Sequence, residues 1–287
     1  MKHNLLLGLM LLISFTGCAR QVTTHALQKG TKKVYVTEAT IKVPEHETVH
    51  MSVEQQYKEV DETTEGYVLD IMVRDIQENK TTPPGLSVSA ALSIMEGKHC
   101  QYATDKEGRV LRSLSINEVK EKYKKDYFSV RDFTPGENDS TAQKLMSEMT
   151  EEKDLESLRA TISPLALNGK DITDGTEEEY TDKNGLKMKR TYHVKSNGSI
   201  QSNATLNMKA EDIRAFYQNM LKQAGLNITD NVRQDLDEMV RNFRVEYTEE
   251  ATYTFLPDGW VKTIDCVITQ KMSEQEPITM IYKVYVK

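Results

Sequence analysis

The sequence lacks any apolar run long enough to cross a membrane: the run from Leu5 to Phe15 falls well short of the roughly twenty residues of a spanning helix. It also lacks a phosphate-binding glycine loop, a GxSxG elbow and a CxxC pair. Net positive charge is missing too, since 37 Lys and Arg face 44 Asp and Glu. These absences predict no cofactor of those classes and no nucleic-acid partner.

The first eighteen residues have the pattern of an export signal. Lys2 is followed by the apolar run and then by the small residues Thr16 and Gly17, immediately before Cys18. A charged start, a short apolar centre and a small-residue end are typical of a cleaved secretory signal. We therefore predict that residues 1–17 are removed and contribute nothing to the fold.

The stretch Thr16-Gly17-Cys18 resembles the lipobox of Gram-negative bacterial lipoproteins of the Bacteroides type, although Phe15 occupies a position that is usually aliphatic. The resemblance implies cleavage before Cys18 and acylation of that cysteine, with palmitate among the lipids, so that the protein is anchored to a membrane without crossing it. Residue 19 is Ala and not the aspartate that signals inner-membrane retention. We expect an outer-membrane location, facing the periplasm.

The rest of the chain predicts an α+β fold of curved antiparallel sheets, as meanders or a half-barrel, with a few packing helices. We expect a lipidated tether at 18–32, an N-terminal α+β domain at 33–165 and a C-terminal α+β domain at 170–287. Strand-like alternation dominates both domains. A tyrosine-bearing strand, a turn with glycine and a returning strand occur in each, which leaves open whether the two halves are related.

Individual segments carry the usual signals of strands and helices. Residues 33–43 and 48–59 alternate on either side of a Pro-Glu-His-Glu turn, and a second turn at 61–66 leads into a third strand of the same meander, which begins at Tyr67. Ser115 and Glu118 form a capping-box pattern for a helix. Later turns at Lys106-Glu107-Gly108, Ser196-Asn197-Gly198 and Pro257-Asp258-Gly259 predict hairpins.

In overall pattern, strand-rich and covered by helices, the chain is distantly similar to the LolA/LolB-like lipoprotein carriers. That resemblance implies a non-enzymatic envelope lipoprotein that binds a partner protein or an apolar ligand, including lipid, on the concave face of a sheet. The inward positions Val49, Met51, Leu69 and Ile71 are then expected to line the ligand cavity. The alternative of a structural component in an outer-membrane assembly predicts closed cores and an exposed apolar patch.

One motif points to a different chemistry. His46, Glu47 and His50 spell HExxH, in which two histidines on adjacent helical turns bind zinc and the glutamate acts as base. That zinc peptidase alternative requires a helix across residues 44–57. The alternation of this stretch favours a strand, in which the histidines are about 13 Å apart, so we expect no metal site and no catalytic residues.

The environment of a few other residues is predicted with two alternatives or with one. Cys100 and Cys266 are either free buried thiols or a disulfide between the two halves. Trp260, the only tryptophan, is either an exposed anchor or, as we prefer, a packed residue at a strand start. The carboxylate runs 177–179 and 249–250 are expected to face solvent.

Overall fold

The computed structural model describes residues 20–22, 30–78, 96–130, 150–181, 186–223, 230–241, 245–272 and 276–287. The predicted signal peptide and Cys18 lie outside these ranges. Within them, one large antiparallel sheet of eleven strands dominates, and a second sheet has two strands. The predicted class of antiparallel sheet with a few helices is thereby confirmed at the level of the secondary structure.

The strands follow one another along the sheet almost entirely in chain order. They are β1 Arg20–Val22, β2 Lys32–Lys42, β3 Val49–Glu62, β4 Gly66–Glu78, β5 His99–Asp105, β6 Val110–Ser113, β7 Lys170–Ile172, β8 Glu177–Thr181, β9 Lys187–Val194, β10 Ile200–Leu206, β11 Val245–Phe255, β12 Val261–Met272 and β13 Ile278–Val286. In the large sheet the first block is β6-β5-β4-β3-β2 and the second is β13-β12-β11-β10-β9-β8, with β2 pairing β13 at the centre, while β1 pairs β7 separately.

Four helices accompany the sheet in the described ranges: α1 Ile116–Val130, α2 Glu151–Arg159, α3 Ala210–Gln223 and α4 Asp230–Arg241. The helix predicted after Ser115 is confirmed, but its cap differs. The Ser115 hydroxyl accepts the Gln101 N–H at 2.7 Å, and Glu118 pairs with Lys122. Ser115 thus ties the start of α1 to β5. Thr150 caps α2 by accepting the Lys153 N–H.

The strands of residues 33–165 and those of residues 170–287, predicted to form two domains, lie in one eleven-stranded sheet, and the division into domains stays a prediction. Strand β2 of the first and strand β13 of the second are paired over eight residues, from Thr279↔Lys42 to Val286↔Tyr35. The predicted tether at 18–32 also contains structure, because Arg20–Val22 forms β1 and Lys32 begins β2.

The large sheet is strongly curved, as its two edges show. If it were flat, the ten intervals from β6 to β8 would span about 48 Å. Yet Asn168 and Gly169 bond to the β5–β6 turn, through Gly108 O at 3.1 Å and the Arg109 guanidinium at 2.6 Å, while the next residue, Lys170, bonds to Glu178 of β8. Three consecutive residues and their side chains bridge the two edges, so the sheet curves far enough to bring its edges near each other.

The interior of this curve is occupied by the chain itself. We call residues 158–172 the inner segment. Five of its apolar side chains are at most 8% exposed and share one core with tyrosines and aliphatic residues from both blocks of strands, while Ile162 is half-buried and Ala160 is exposed. The inner segment contributes Leu158, Leu165, Ala166, Leu167 and Ile172. The segment therefore supplies the packing partners that a single curved sheet lacks.

The β6 edge of the sheet is closed by side chains of α2. The Ser113 N–H donates to Glu151 Oε1 at 2.8 Å, and the Val110 carbonyl accepts from the Arg159 guanidinium at 3.2 Å. Open strand edges otherwise invite pairing with another chain. These two contacts use the backbone groups of a short strand and bring α2, and with it the start of the inner segment, against that edge.

Candidate functional site

The inner face of the sheet has two ends with different surroundings. At the end that carries the β5–β6 and β11–β12 turns, which we call the filled end, Tyr35, Tyr57 and Trp260 form an aromatic cluster with ring centroids 5.4–6.4 Å apart. The Tyr35 hydroxyl donates to the Val261 carbonyl at 2.6 Å. With the inner segment packed above it, this end has the closed packing of a protein core.

At the opposite end the inner face is only half-buried. Cross-strand pairing places Ile268, Met280, Ile41 and Val49 in one row across four adjacent strands, and all four are of intermediate exposure. We call these four residues the open row. Met51 follows on the same face of β3 and is half-buried as well. The row is a strip of aliphatic and thioether side chains about 14 Å wide, three strand spacings.

A buried ion pair lies where the two ends meet. Cross-strand pairing extends the same row beyond Ile268. Ile268 pairs with Glu249 of β11, and a residue of β10 pairs with both Glu249 and Arg190 of β9. The Arg190 guanidinium donates to Glu249 Oε1 at 2.6 Å and to the Thr161 hydroxyl at 2.7 Å. That hydroxyl in turn donates to the Glu249 carboxylate. The inner segment is thus bonded to the sheet at the boundary of the filled end.

Burial and pairing act in opposite directions on Arg190. Burial disfavours its charge, but the Glu249 carboxylate and the surrounding tyrosines outweigh this and raise the pKa of Arg190. Its guanidinium also stacks on Tyr180, 4.5 Å from the ring centroid. The cation is therefore held at all ordinary pH values, and it fixes the position of the inner segment through Thr161.

A second, more exposed contact holds the inner segment to the β8 edge. Lys170 Nζ donates to both Glu178 carboxylate oxygens at 2.8 and 2.9 Å, and the Tyr192 hydroxyl donates to Glu178 at 2.7 Å. Burial acts to raise the pKa of Glu178, but the bond from Lys170 and its charge outweigh it, so the pKa is lowered. Glu178 is therefore ionised at neutral pH and serves as an anchor for Lys170.

The four residues predicted to line a cavity share one face but are divided between its two ends. Register pairs Leu69 with Glu59 and Ile71 with Tyr57, on the face that also carries Val49 and Met51. Leu69 and Ile71 are 0% and 5% exposed and belong to the core, so they do not line an open cavity. They belong to the same core as the inner segment, whose burial was not predicted from the sequence.

The HExxH stretch does not have the geometry that the zinc alternative requires. His46 lies in the β2–β3 turn, where its N–H bonds to Val43 O, and His50 lies in β3 with Nδ1 3.0 Å from the Thr40 hydroxyl. The strand prediction for this stretch is confirmed, and the helix is absent. Among the described residues, no three His, Cys, Asp or Glu side chains are grouped so as to bind a metal ion.

Both cysteines of the predicted disulfide alternative are free thiols. Cys100 is on β5 and Cys266 on β12, with four strands between them in the sheet. Burial raises the pKa of Cys100 to about 11 and that of Cys266 to about 12. Both are protonated at neutral pH, a state in which a thiol is a poor nucleophile.

Two other predictions have opposite outcomes. Trp260 is packed at the start of β12 and 2% exposed, as preferred from the sequence. The expectation that Glu249 faces solvent is wrong, since it is 6% exposed and paired with Arg190. The sequence contained a signal for this burial. Arg190 is two residues from Tyr192, and Glu249 is two residues from Ala251, so in a strand each charged residue shares the inward face of its neighbour.

The outer face offers less that could act as a site. Val267 and Ile281 are directly paired there and are 41% and 38% exposed. A shallow depression of about 550 Å³ lies beside a bulge of β4, lined by Met72, Val73, Arg74, Glu96 and Gly97. Arg74 within it is already paired with Glu54 at 2.7 Å. The described helices include none long and apolar enough to cross a membrane.

Comparison with known proteins finds distant similarity in structure and none in sequence family. No family model and no curated protein matches the chain. Among solved structures, the chain resembles one titled "Lipid-protein interactions in lipovitellin", with 10% sequence identity and a TM-score of 0.40. The match covers 91% of this chain, which spans about a quarter of the length of that structure (25%).

Proposed function

We propose that this protein is a non-enzymatic lipoprotein of the bacterial envelope, anchored through Cys18, that binds an apolar ligand or an apolar segment of a partner protein at the open row. The observation that supports this is the contrast within one sheet face. The chain fills one end with its own residues and leaves Ile268, Met280 and Ile41 half-buried at the other. Apolar strips of this kind, rimmed by polar residues, are typical of binding surfaces.

The composition of the open row fits a ligand that varies in shape. Methionine has three rotatable bonds and a polarisable sulfur, so Met280 and the neighbouring Met51 adapt to different apolar surfaces. The ion pair of Arg190 and Glu249 is used internally, and the four side chains of the row are themselves all apolar. An acyl chain or an apolar peptide side fits this chemistry better than a small polar metabolite.

The test uses the soluble form of the protein, with Cys18→Ser, titrated with a fluorescent fatty-acid analogue, alongside mass spectrometry of lipid extracted from the purified protein. Met280→Asp places a charge in the open row and is expected to weaken binding about tenfold or more, equivalent to at least about 1.4 kcal/mol. The adjacent Ile281→Asp is the matched control, because Ile281 lies on the same strand but on the outer face.

Three outcomes are informative once circular dichroism shows that both variants are folded. Selective loss of binding in Met280→Asp supports the proposal. Equal loss in both variants contradicts it, as does a wild-type protein that binds no probe and carries no lipid. In the last case, the exposed pair Val267 and Ile281 favours the structural alternative, in which the outer face contacts a neighbouring protein of an assembly.

A further inference from the structure

The strand nearest to the proposed lipid anchor is bound to the body of the protein. In β1, Arg20 pairs with Ile172, Gln21 with Asp171 and Val22 with Lys170 of β7. Strand β7 is the last part of the inner segment, and Ile172 is 1% exposed in the core. The start of the chain is therefore attached to the filled end and not to the end that carries the open row.

The position of β1 fixes how far an anchor at Cys18 can be from the body. Cys18 is two positions before Arg20, with only Ala19 between them, and fully extended chain spans at most about 3.6 Å per residue, or about 7 Å in all. If the whole of 18–32 were a free tether, its fifteen residues would reach about 50 Å. Pairing of β1 with β7 removes most of that freedom.

The surface around β7 suits contact with lipid headgroups more than insertion among acyl chains. Lys106 and Glu107 in the adjacent β5–β6 turn are exposed, as is Asp171 in β7. Lys170 is half-buried and paired with Glu178. These groups are charged with both signs, and such groups are costly to move into hydrocarbon, so this end can rest on a polar interface without penetrating it.

We propose that the filled end faces the membrane and that the open row faces the aqueous side, away from the bilayer to which the protein is anchored. This orientation rests on the acylation of Cys18 in the proposed function. From Lys33 at the filled end to Ile41 in the open row, strand β2 extends about 26 Å. A ligand or partner therefore reaches the open row from the aqueous phase and not directly from the anchoring membrane.

The orientation is tested with acylated full-length protein in vesicles of phosphatidylethanolamine and phosphatidylglycerol that carry a nitroxide quencher on a headgroup. A fluorophore is attached in one preparation to Lys106→Cys, at the filled end, and in the other to Glu45→Cys, in the β2–β3 turn near the open row. Labelling of the wild-type protein measures the residual reaction of the half-buried Cys100 and the buried Cys266.

Severalfold stronger quenching at position 106 than at position 45 is expected. Equal quenching at both positions, or stronger quenching at 45, overturns the orientation while leaving the anchor intact. A long Gly-Ser insertion between Cys18 and Ala19 should abolish the difference while the protein stays on the vesicles. If Cys18→Ser binds vesicles as well as the wild type, or mass spectrometry finds no acyl group, the anchor itself fails and the orientation with it.

Discussion

The two ends of the inner face are built from the same strands and yet differ in what covers them. On β2, Tyr35 and Ile41 point to the same side six residues apart, but Tyr35 is 1% exposed while Ile41 is half-buried. Tyr35 belongs to the buried core that the inner segment completes, whereas Ile41 does not. Alternation along a strand thus makes an apolar face, and a separate stretch of chain decides which part of that face becomes core.

The boundary between the ends is polar, which gives the division a physical basis. Arg190, Glu249 and Thr161 are hydrogen-bonded to one another at the point where the inner segment meets the sheet. A wholly apolar boundary would let the segment shift along the face, because apolar packing is not directional. Directional bonds at this position specify where the filled end stops.

The largest effect is expected from breaking this ion pair. Arg190→Met leaves the Glu249 carboxylate buried without its cation, and loss of one partner of a buried pair destabilises by about 3 to 5 kcal/mol. Urea unfolding followed by circular dichroism measures the loss. The double variant Arg190→Met with Glu249→Leu should recover much of it, because no uncompensated charge remains. A double variant as unstable as the single one would show that Arg190 acts through its other contacts.

The next effect concerns packing of the inner segment. Leu167 is 1% exposed within the core, so Leu167→Ala removes buried apolar surface and leaves a cavity, at a cost of about 3 kcal/mol. Urea unfolding again measures it. If the filled end were merely covered by a loosely packed segment, the change would cost well under 1 kcal/mol, as at a surface site.

The sequence predicted the sheet much better than the contents of its interior. Alternation and glycine-containing turns are local signals, and they located the hairpins at Gly108, Gly198 and Gly259. The inner segment has no comparable signal, since Leu165-Ala166-Leu167 lies between Pro164 and Asn168 without helical or strand periodicity. Its burial depends on curvature across eleven strands, which arises from long-range pairing such as β2 with β13.

The candidate site shows the same limit. Val49 and Met51 were identified as inward positions from alternation alone, and the same argument identified Leu69 and Ile71. Period-two alternation assigns a residue to a face but carries no information on which part of the face is covered. Only the position of the inner segment separates the first pair from the second.

A smaller effect is expected at the open end. Met51→Ala removes a half-buried side chain, so it should cost only about 1 kcal/mol, below the range for fully buried positions. Affinity for the fatty-acid analogue is expected to fall more than stability, because Met51 borders the open row. A stability loss equal to that of Leu167→Ala would mean that the open end is also core, which would contradict the proposed division.

The smallest effect is expected from the contact between Glu178 and Lys170. The pKa of Glu178 is lowered in the folded protein from its ordinary 4.5, so the unfolded state binds more protons than the folded state in this range. The resulting stabilisation is present above pH 4.5 and is lost as the pH falls through the lowered pKa.

Glu178→Gln should therefore cost about 1 kcal/mol or less at pH 7, since the pair is partly exposed. Its unfolding free energy should approach that of the wild type as the pH is lowered below 4.5. If the two proteins differed in unfolding free energy by the same amount at pH 7 and below pH 4.5, the effect of Glu178 would come from its contact with Tyr192. The charge of Lys170 would then not help to hold the inner segment.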